Sequence, residues 1–257
     1  MCLGLILQAG MQKDIGESTT PPFPMRKAGT SLRMYPSMSL IWSWKEKATA
    51  LQIGTVMTHP DYRHQGLSAR LMNHVLDVYH GKYDFMYLFA NSSVLEFYPK
   101  FGFELVEEYQ YTASGASVNE SALRKLNVAR DIELIQRLVY ERVLVSRKFS
   151  TANSGGITMY HVLNVFNEHL YYHDEEDAVV MFSKENDVFH LYDVISRTPV
   201  NLKNILEDAE ADVVFHLTPD GMDFELSPYK RDGAFFVKKG SGMDFPFGVK
   251  HPVTSEA

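Results

Sequence analysis

The stretch "HPDYRHQGLSARL", residues 59–71, separates two segments of different hydrophobic periodicity. The run before it, "ATALQIGTVMT" at residues 48–58, is apolar and β-branched, which is typical of an interior strand. After it, apolar residues recur at helical spacing until Gly81, where a helix C-terminus is expected. The sequence therefore predicts a strand-turn-helix joint with Gly66 at the turn.

This joint has the features of an anion-binding site. The first N–H groups of a helix have no intrahelical acceptor and lie at the positive end of the helix dipole. Gly66 would let the backbone approach a ligand closely, and the small side chains of Ser68 and Ala69 would keep that approach open. Arg63 can add a charge-assisted hydrogen bond or anchor the turn. The motif is short, so by itself it is also consistent with a simple turn.

Composition limits the class of protein. With 257 residues, 45% of them hydrophobic, the chain can form one large domain or two ordinary ones. Its 25 basic and 32 acidic residues give a net charge of -7, so we expect no nucleic-acid partner, because phosphate backbones require clustered positive charge. Cys2 is the only cysteine, which excludes an intramolecular disulfide and favours a reducing, cytoplasmic setting. No basic leader and no apolar run of membrane length are seen, so no membrane association is expected.

The order of elements around the joint predicts an α/β fold with a mixed sheet. Residues 84–90 indicate a second buried strand, followed by a short helix that Ser92 or Ser93 can cap and Gly102 ends. "FELVEEYQYT", residues 103–112, then indicates one further strand. Upstream, residues 3–7 suggest a strand, but the following stretch to Trp44 contains several prolines and no clear period, which predicts a long loop or insertion.

A second pass of similar order follows. It comprises a short strand near residue 123, a helix from about residue 131, a helix over 157–173, a hairpin turning at 184–187, a helix over 200–209 and a strand over 211–218. We therefore expect two related units, residues 1–118 and 119–257. His169 and His173 would share the face of the predicted helix, a spacing also seen in zinc sites, but a solvated acidic helix end is the commoner meaning and no metal site is predicted.

Two longer motifs carry a family resemblance. "VMTHPDYRHQGLSARLMNHVL", residues 56–76, resembles the acetyl-CoA signature of the GNAT family of N-acetyltransferases. "FANSSVLEFYPKFGF", residues 89–103, resembles the second signature of that family, an Asn followed by an aromatic-Tyr pair and Gly-Phe. Both motifs occur in the family's order and at its distance, and the resemblance covers residues 48–112.

The resemblance implies a GNAT fold that binds acetyl-CoA. In that family the strand before the loop splays from its neighbour and its backbone binds the pantetheine arm, while the loop amides bind the pyrophosphate. By position, the implied arm-binding residues are Val56, Met57 and Thr58. The implied pyrophosphate-binding residues are His64, Gln65, Gly66, Leu67, Ser68 and Ala69. Arg63, just before them, is a further candidate cofactor-binding residue, and Asn91 is a further implied cofactor contact. Ser68 departs from the usual second glycine, so weakened binding is the most that we expect from it.

Tyr98 matches the position that, in relatives, protonates the leaving thiolate. A tyrosine hydroxyl with an ordinary pKa of about 10 suits that role; the alternative is a core tyrosine packed on Phe97 and Phe101. The general base cannot be identified from the sequence. The central strands offer Gln52, Thr55, Met86 and Tyr87, the nearby candidates are His59, Asp84 and Glu96, and a water chain is a further option.

The second unit departs from the family at its equivalent joint. "SRTPVNLKNI", residues 196–205, contains no glycine, and Pro199 removes a backbone donor. We expect a degenerate GNAT-like domain that shapes the acceptor pocket or a homodimer interface without binding CoA; an unrelated α+β domain is the alternative. The first 47 residues also show no convincing pair of helices, which the family places there as a wall of the acceptor site.

These observations predict a cytoplasmic N-acetyltransferase. It would transfer an acetyl group from acetyl-CoA to a primary amine of a small molecule or peptide, directly, within a ternary complex. The alternative is a non-catalytic CoA-binding sensor or protein-interaction module, which the missing front helices and the unidentified base favour.

Overall fold

The computed structural model describes residues 24–27, 30–41 and 47–257, which form two mixed sheets with helices. The strands are β1 (Pro24–Lys27), β2 (Thr30–Ile41), β3 (Lys47–Thr58), β4 (Phe85–Ala90), β5 (Glu104–Val106), β6 (Glu108–Val118), β7 (Leu123–Lys125), β8 (Ser150–Ala152), β9 (Leu170–His173), β10 (Ala178–Glu185), β11 (Val188–Ser196), β12 (Leu206–Phe215), β13 (Glu225–Tyr229) and β14 (Ala234–Lys239). The α-helices are α1 (Leu67–Tyr79), α2 (Val128–Glu141), α3 (Gly155–Asn164) and α4 (Leu202–Ile205).

Each sheet contains one parallel pair of strands in an otherwise antiparallel arrangement. The first sheet has the order β1-β2-β3-β4-β14-β5, with β8 paired to β2, and its parallel pair is β3 with β4. The second sheet has the order β13-β6-β12-β11-β10-β9-β7, and its parallel pair is β11 with β12. In both pairs a helix lies between the two strands in sequence, as parallel strands require a crossover. The predicted mixed α/β fold is confirmed.

Membership of the two sheets does not follow the order of the chain. β14 lies between β4 and β5 in the first sheet, although it follows them by more than a hundred residues. β8 also joins the first sheet, while β6 belongs to the second. The division at residue 118 stays a prediction about domains, and these strands cross it in both directions.

Two predictions for the first half were wrong. The stretch to Trp44 was expected to be a loop, but residues 24–27 and 30–41 are strands. Pro36, which argued against a strand, lies where the register against β3 shifts between Tyr35 and Met38, and a bulge is a place where a strand tolerates proline. "FELVEEYQYT" is not one strand, because the chain passes from the first sheet to the second at Glu107. The strand predicted at residues 3–7 lies outside the described residues.

Three predicted helices are shorter than expected. The predicted helix at 157–173 ends at Asn164, and its second part forms β9, which pairs with β10 and β7. The helix at 200–209 is reduced to the four residues of α4. The short helix after β4 is instead two 3-10 turns, and Asn91, not Ser92 or Ser93, is the cap. In each case pairing with distant strands or local capping overrides a weak helical pattern.

The two faces of the first sheet have different partners. On one face, α1 packs its buried side chains Leu71, Met72 and Val75 against alternate residues of β3 and β4. On the other face, Phe85 and Tyr87 of β4 pack against residues that come from much later in the chain, among them Phe149, Ile157 and Val249. The face opposite α1 is therefore covered by segments from later in the chain.

Within the described ranges, none of the helices combines the length and the apolar character that a membrane span requires.

Candidate functional site

The parallel strands β3 and β4 separate at the centre of the first sheet. Their pairing ends at Ile53 and Leu88, although β3 continues to Thr58. The register of β3 against β2 shifts just beyond this point, and Thr55 has a φ of 51°, in the left-handed region that non-glycine residues rarely adopt. This bulge bends β3 away from β4 and leaves backbone groups of both strands free of each other.

The joint between β3 and α1 presents unpaired amides. Gly66 is the N-cap of α1 with a φ of 68°, and it supplies no side-chain cap. The first bond of the helix runs from the Arg70 N–H to the Gly66 carbonyl at 3.0 Å. The three N–H groups before it, at residues 67–69, therefore have no acceptor within the helix, and free amides of this kind are what anion binding at a helix start requires.

Two contacts fix the turn to the end of β3. The hydroxyls of Thr58 and Ser68 lie 2.6 Å apart and share a hydrogen bond. Arg63 Nε donates to the Thr58 carbonyl at 3.4 Å. Of the two roles considered for Arg63, the geometry gives the anchoring one. Ser68, the departure from the family pattern, is used by the turn itself.

A cavity of about 820 Å³ opens between the separated strands. It is lined by Thr55, Val56, Met57, Ser68 and Lys100, and by the continuous run of residues 89–98. The structure thus brings together five of the predicted site residues, Val56, Met57, Ser68, Asn91 and Tyr98. The other predicted residues, Thr58, Arg63, His64, Gln65, Gly66, Leu67 and Ala69, form the adjoining exposed to half-buried joint and do not line the cavity.

Asn91 and Tyr98 face this cavity in different ways. Asn91 Oδ1 accepts from the N–H of Ser93 at 3.0 Å and from its hydroxyl at 2.6 Å, so the side chain caps the following turn. Tyr98 is 7% exposed and packs against Phe103 and Phe236. Burial raises the pKa of Tyr98, which keeps the hydroxyl protonated at neutral pH. Tyr98 is therefore both a core residue and a cavity residue with a proton to donate.

The base candidates named from the sequence are spread apart. His59 is exposed and lies 3.6 Å from Asp61. Asp84 accepts from the Thr49 N–H at 2.8 Å, a strand-terminal bond. Glu96 lines the cavity. Gln52 and Tyr87 are fully buried in neighbouring strands, on the face away from α1.

The C-terminal segment, defined as residues 249–257, lies against that face. His251 Nε2 is 3.3 Å from the Tyr87 hydroxyl, and burial lowers the pKa of His251 well below its ordinary value, so the ring is neutral. With its amide oriented to satisfy both neighbours, Gln52 donates to the Ser255 carbonyl at 3.2 Å and accepts from the Ala257 N–H at 3.0 Å. Sequence reasoning missed this segment, because it carries no motif and lies about two hundred residues from β3.

Gly233 is a second residue that sequence reasoning missed. Its φ is 110°, and a Cβ at this position would overlap the carbonyl of Ala90 and crowd Asn91. Only glycine lets the start of β14 approach the end of β4 so closely. The later part of the chain therefore supports the strand end that carries Asn91.

Buried ion pairs lie beside the same strand end. Glu108 accepts from Arg231 Nε at 2.7 Å and from Lys250 Nζ at 3.2 Å, while Arg231 also donates to both carboxylate oxygens of Glu256 at 3.2 and 2.8 Å. Burial opposes the charge of Arg231, but its bonds to the two carboxylates outweigh that effect and raise its pKa. Burial lowers the pKa of Lys250. We call Glu108, Arg231, Lys250 and Glu256 the ion cluster.

The equivalent space in the second sheet is closed. Beyond the last paired residues of β11 and β12, the His216 N–H donates to the Leu191 carbonyl at 2.9 Å, and the Val253 N–H donates to the His216 carbonyl at 3.0 Å. The Thr254 hydroxyl donates to Asp193 at 2.5 Å. The C-terminal segment thus occupies the wedge between these strands.

The start of α4 is capped by a side chain, and the two histidines considered as a pair do not share a helix. Asn201 caps α4 by accepting from the Lys203 N–H at 3.1 Å. His169 precedes β9 and His173 lies within it, so the helix face assumed for this pair was wrong. In the part of the chain that the structure describes, no three metal-ligating side chains are grouped together.

Comparison with known proteins matches residues 31–106 to the acetyltransferase (GNAT) domain family. N-alpha-acetyltransferase 50 of Danio rerio is 39% identical over 62 residues, which is 22% of this chain and 37% of that protein. The crystal structure of Eis1 from Mycobacterium abscessus superposes with a TM-score of 0.53 at 13% identity, covering 82% of this chain and 61% of that one. The match thus spans less than two thirds of either relative.

The Eis1 superposition shows a common fold, and the family match falls on the strands and the joint that surround the cavity. Residues 31–106 therefore match the acetyltransferase (GNAT) domain family, and this match includes the strands and the joint around the cavity.

Proposed function

We propose that this protein is a cytoplasmic N-acetyltransferase that moves an acetyl group from acetyl-CoA to a primary amine of a small molecule or peptide. The observation that carries the proposal is the pairing of two features: the uncapped start of α1 and the cavity of about 820 Å³ between β3 and β4. Free amides suit the pyrophosphate, and separated strands offer backbone groups to an extended polar arm.

Each part of the cosubstrate has residues that suit it. The pyrophosphate would bind the amides of residues 64–69, with Arg63 holding the turn. The pantetheine arm would lie along residues 56–58, and Asn91 would reach it from β4. The fit of the joint is supported by the left-handed Gly66, which leaves room where a side chain would stand.

The reaction requires a positioned amine and a proton donor. The neutral amine nitrogen attacks the thioester carbonyl and loses a proton to water, the carbon–sulfur bond breaks, and sulfur leaves as a thiolate that takes a proton. Tyr98 would supply that proton, because burial keeps its hydroxyl protonated and its side chain reaches the cavity. Positioning of the two substrates in one complex supplies the remaining acceleration.

The test combines binding with turnover. Calorimetry with acetyl-CoA on the full chain should show one site, and a panel of amines should release CoA. Tyr98→Phe should lower kcat by about 10²-fold or more, the range of a lost acid catalyst. Tyr83→Phe is the matched control, since Tyr83 is also a buried tyrosine of the same apolar cluster with a raised pKa.

The possible outcomes separate the alternatives. Absence of acetyl-CoA binding would contradict both the enzyme and a CoA-sensing module. Binding without turnover of any amine would favour the module. Turnover that Tyr98→Phe and Tyr83→Phe affect equally would remove the acid role from Tyr98 and leave the transferase in place.

A further inference from the structure

The ion cluster is largely buried, and buried ion pairs add little net stability. Glu108 and Lys250 are almost fully enclosed, with side chains 2% exposed, whereas Arg231 and Glu256 are 16% and 19% exposed. Removing four charges from water is costly, and well-packed apolar residues often replace such clusters without loss of stability. Stability alone therefore does not account for the ion cluster.

The contacts within the ion cluster orient Glu256. Glu108 is satisfied on the inside by Arg231, Lys250 and the backbone N–H of His251 at 3.1 Å. Held in this way, the guanidinium turns its other edge to Glu256 and binds both carboxylate oxygens. An ionised carboxylate accepts about four hydrogen bonds, and the described residues supply these two. Glu256 is thus a fixed carboxylate with acceptor capacity left over.

Glu256 is also tied to the point where the central strands separate. The Arg231 guanidinium carbon lies 4.4 Å from the centre of the Phe89 ring, and Phe89 lines the cavity next to the last paired residue of β4. Gln52 of β3 bonds to the backbone on both sides of Glu256. The carboxylate is therefore anchored to both strands, on the face opposite α1.

We propose that Glu256 binds the ammonium group of the acceptor amine and that Arg231 is the positioning residue that orients it. The proposal rests on the proposed function, and it names the acceptor class as a primary ammonium whose nitrogen reaches the strand separation past Phe89 and loses a proton to water before it attacks. Two of the three N–H donors of an ammonium match the two open acceptor sites of this carboxylate. Of the two cations in the ion cluster, Lys250 is enclosed, and the described donors of Arg231 already point at Glu108 and Glu256.

The experiment measures amine and acetyl-CoA parameters separately. Putrescine and trialanine, which carry primary amines on different frames, serve as acceptors with the full chain. Glu256→Gln should raise KM for both amines at least tenfold, change kcat less than threefold and leave the acetyl-CoA Kd unchanged. Asp244→Asn is the control, because it removes a carboxylate that is 89% exposed and paired with Lys239.

A second variant tests the positioning role. Arg231→Lys keeps the charge but loses the two-pronged contact, so it should raise KM for both amines at least threefold, less than Glu256→Gln. If Glu256→Gln does not fold, as judged by circular dichroism, this variant decides alone, and an unchanged KM overturns the proposal.

Failure of the ammonium site can be distinguished from failure of the proposed transferase function. If Glu256→Gln turns over both amines with the same KM as Asp244→Asn, the ammonium site is overturned but the transferase is not. A parallel rise in the acetyl-CoA Kd would show a structural role and also overturns it. If the parent chain acetylates neither amine nor any other amine of the panel, both proposals are overturned.

Discussion

The two parallel crossovers of the molecule differ in the segment that comes after the first strand of each. After β3, α1 begins at a glycine with no side-chain cap, and the neighbouring strands enclose an open cavity. After β11, the four-residue α4 begins at Asn201, whose side chain satisfies an early amide, and the wedge holds residues 253 and 254. Both crossovers have the same topology, so topology alone does not make a phosphate cradle.

The difference teaches that unsatisfied groups identify the site. A helix start binds an anion only if its N–H groups are left free, and a strand separation accepts a ligand only if nothing else fills it. The first crossover meets both conditions and the second meets neither. We therefore expect the first crossover, and not the second, to bind the cosubstrate proposed above.

The largest effect should come from Gly66→Val. A β-branched residue is strongly disfavoured at a φ of 68°, so the turn must rearrange and the amides lose their common direction. We expect acetyl-CoA affinity to fall about a hundredfold or more by calorimetry. Gly81→Val is the control, because Gly81 has a φ of 70° at the other end of α1 and equally open surroundings. Equal losses in both variants would mean that strain in α1, not the cradle, governs binding.

Gly233→Ala should destabilise the protein by about 3 kcal/mol, through overlap with the Ala90 carbonyl and strain at a φ of 110°. Because the strand end moves, acetyl-CoA binding should weaken as well. Urea denaturation and calorimetry measure the two effects. Gly242→Ala, at a position with open space around it, should be neutral in both. Full stability of Gly233→Ala would contradict the tight docking of β14 against β4.

At the second crossover, the contribution of His216 should make the stability of the protein depend on pH. Burial, followed by the neighbouring His190, lowers the pKa of His216 to about 4, against about 6.5 in the unfolded chain. The unfolded state therefore binds the proton first, and stability falls as pH decreases from about 6.5 towards about 4. Between pH 7 and pH 5 this residue alone should cost about 2 kcal/mol. Neutral His251 acts in the same direction.

Urea denaturation at several pH values measures this dependence. His216→Gln removes one titrating group, so its stability should fall less steeply between pH 7 and pH 5 than that of the parent chain. Identical slopes would show that His216 is not the residue responsible.

The smallest effect should come from Ser68→Ala. It removes the hydroxyl bonded to Thr58 at the start of α1, a contact worth about 1 kcal/mol. We expect acetyl-CoA affinity to fall about fivefold. Thr198→Val removes a hydroxyl near the second crossover and should leave that affinity unchanged. A gain in affinity for Ser68→Ala would show that the serine hinders binding.

The first crossover was predictable because its determinants are local. Strand β3, the turn at Gly66 and helix α1 arise from consecutive residues whose periodicity and glycine placement are visible in the sequence, and the structure confirms all three. Asn91 and Tyr98 could be predicted to lie near this joint because they follow it in the sequence at the distance that the family resemblance implies.

The features that could not be predicted depend on pairing at a distance. In the sequence, Pro36 argues against a strand. In the structure, β2 pairs with β3, and the register shift near Pro36 accommodates the proline. Residues 170–173 have a helical pattern locally, but pairing with β10 and β7 holds them extended. The proposed ammonium site is formed by Arg231 and Glu256, which come together only after the chain has returned to the first sheet.

The position of β14 has a consequence for synthesis of the protein. A ribosome that has made β4 and β5 has not yet made the strand that joins them, because β14 begins at residue 234. At ~5–20 residues per second, the delay is on the order of ten seconds. During this time Phe89 and Leu105 border an empty strand position, which is a transient edge open to wrong pairing. The first sheet must therefore be completed late, although most of its strands emerge first.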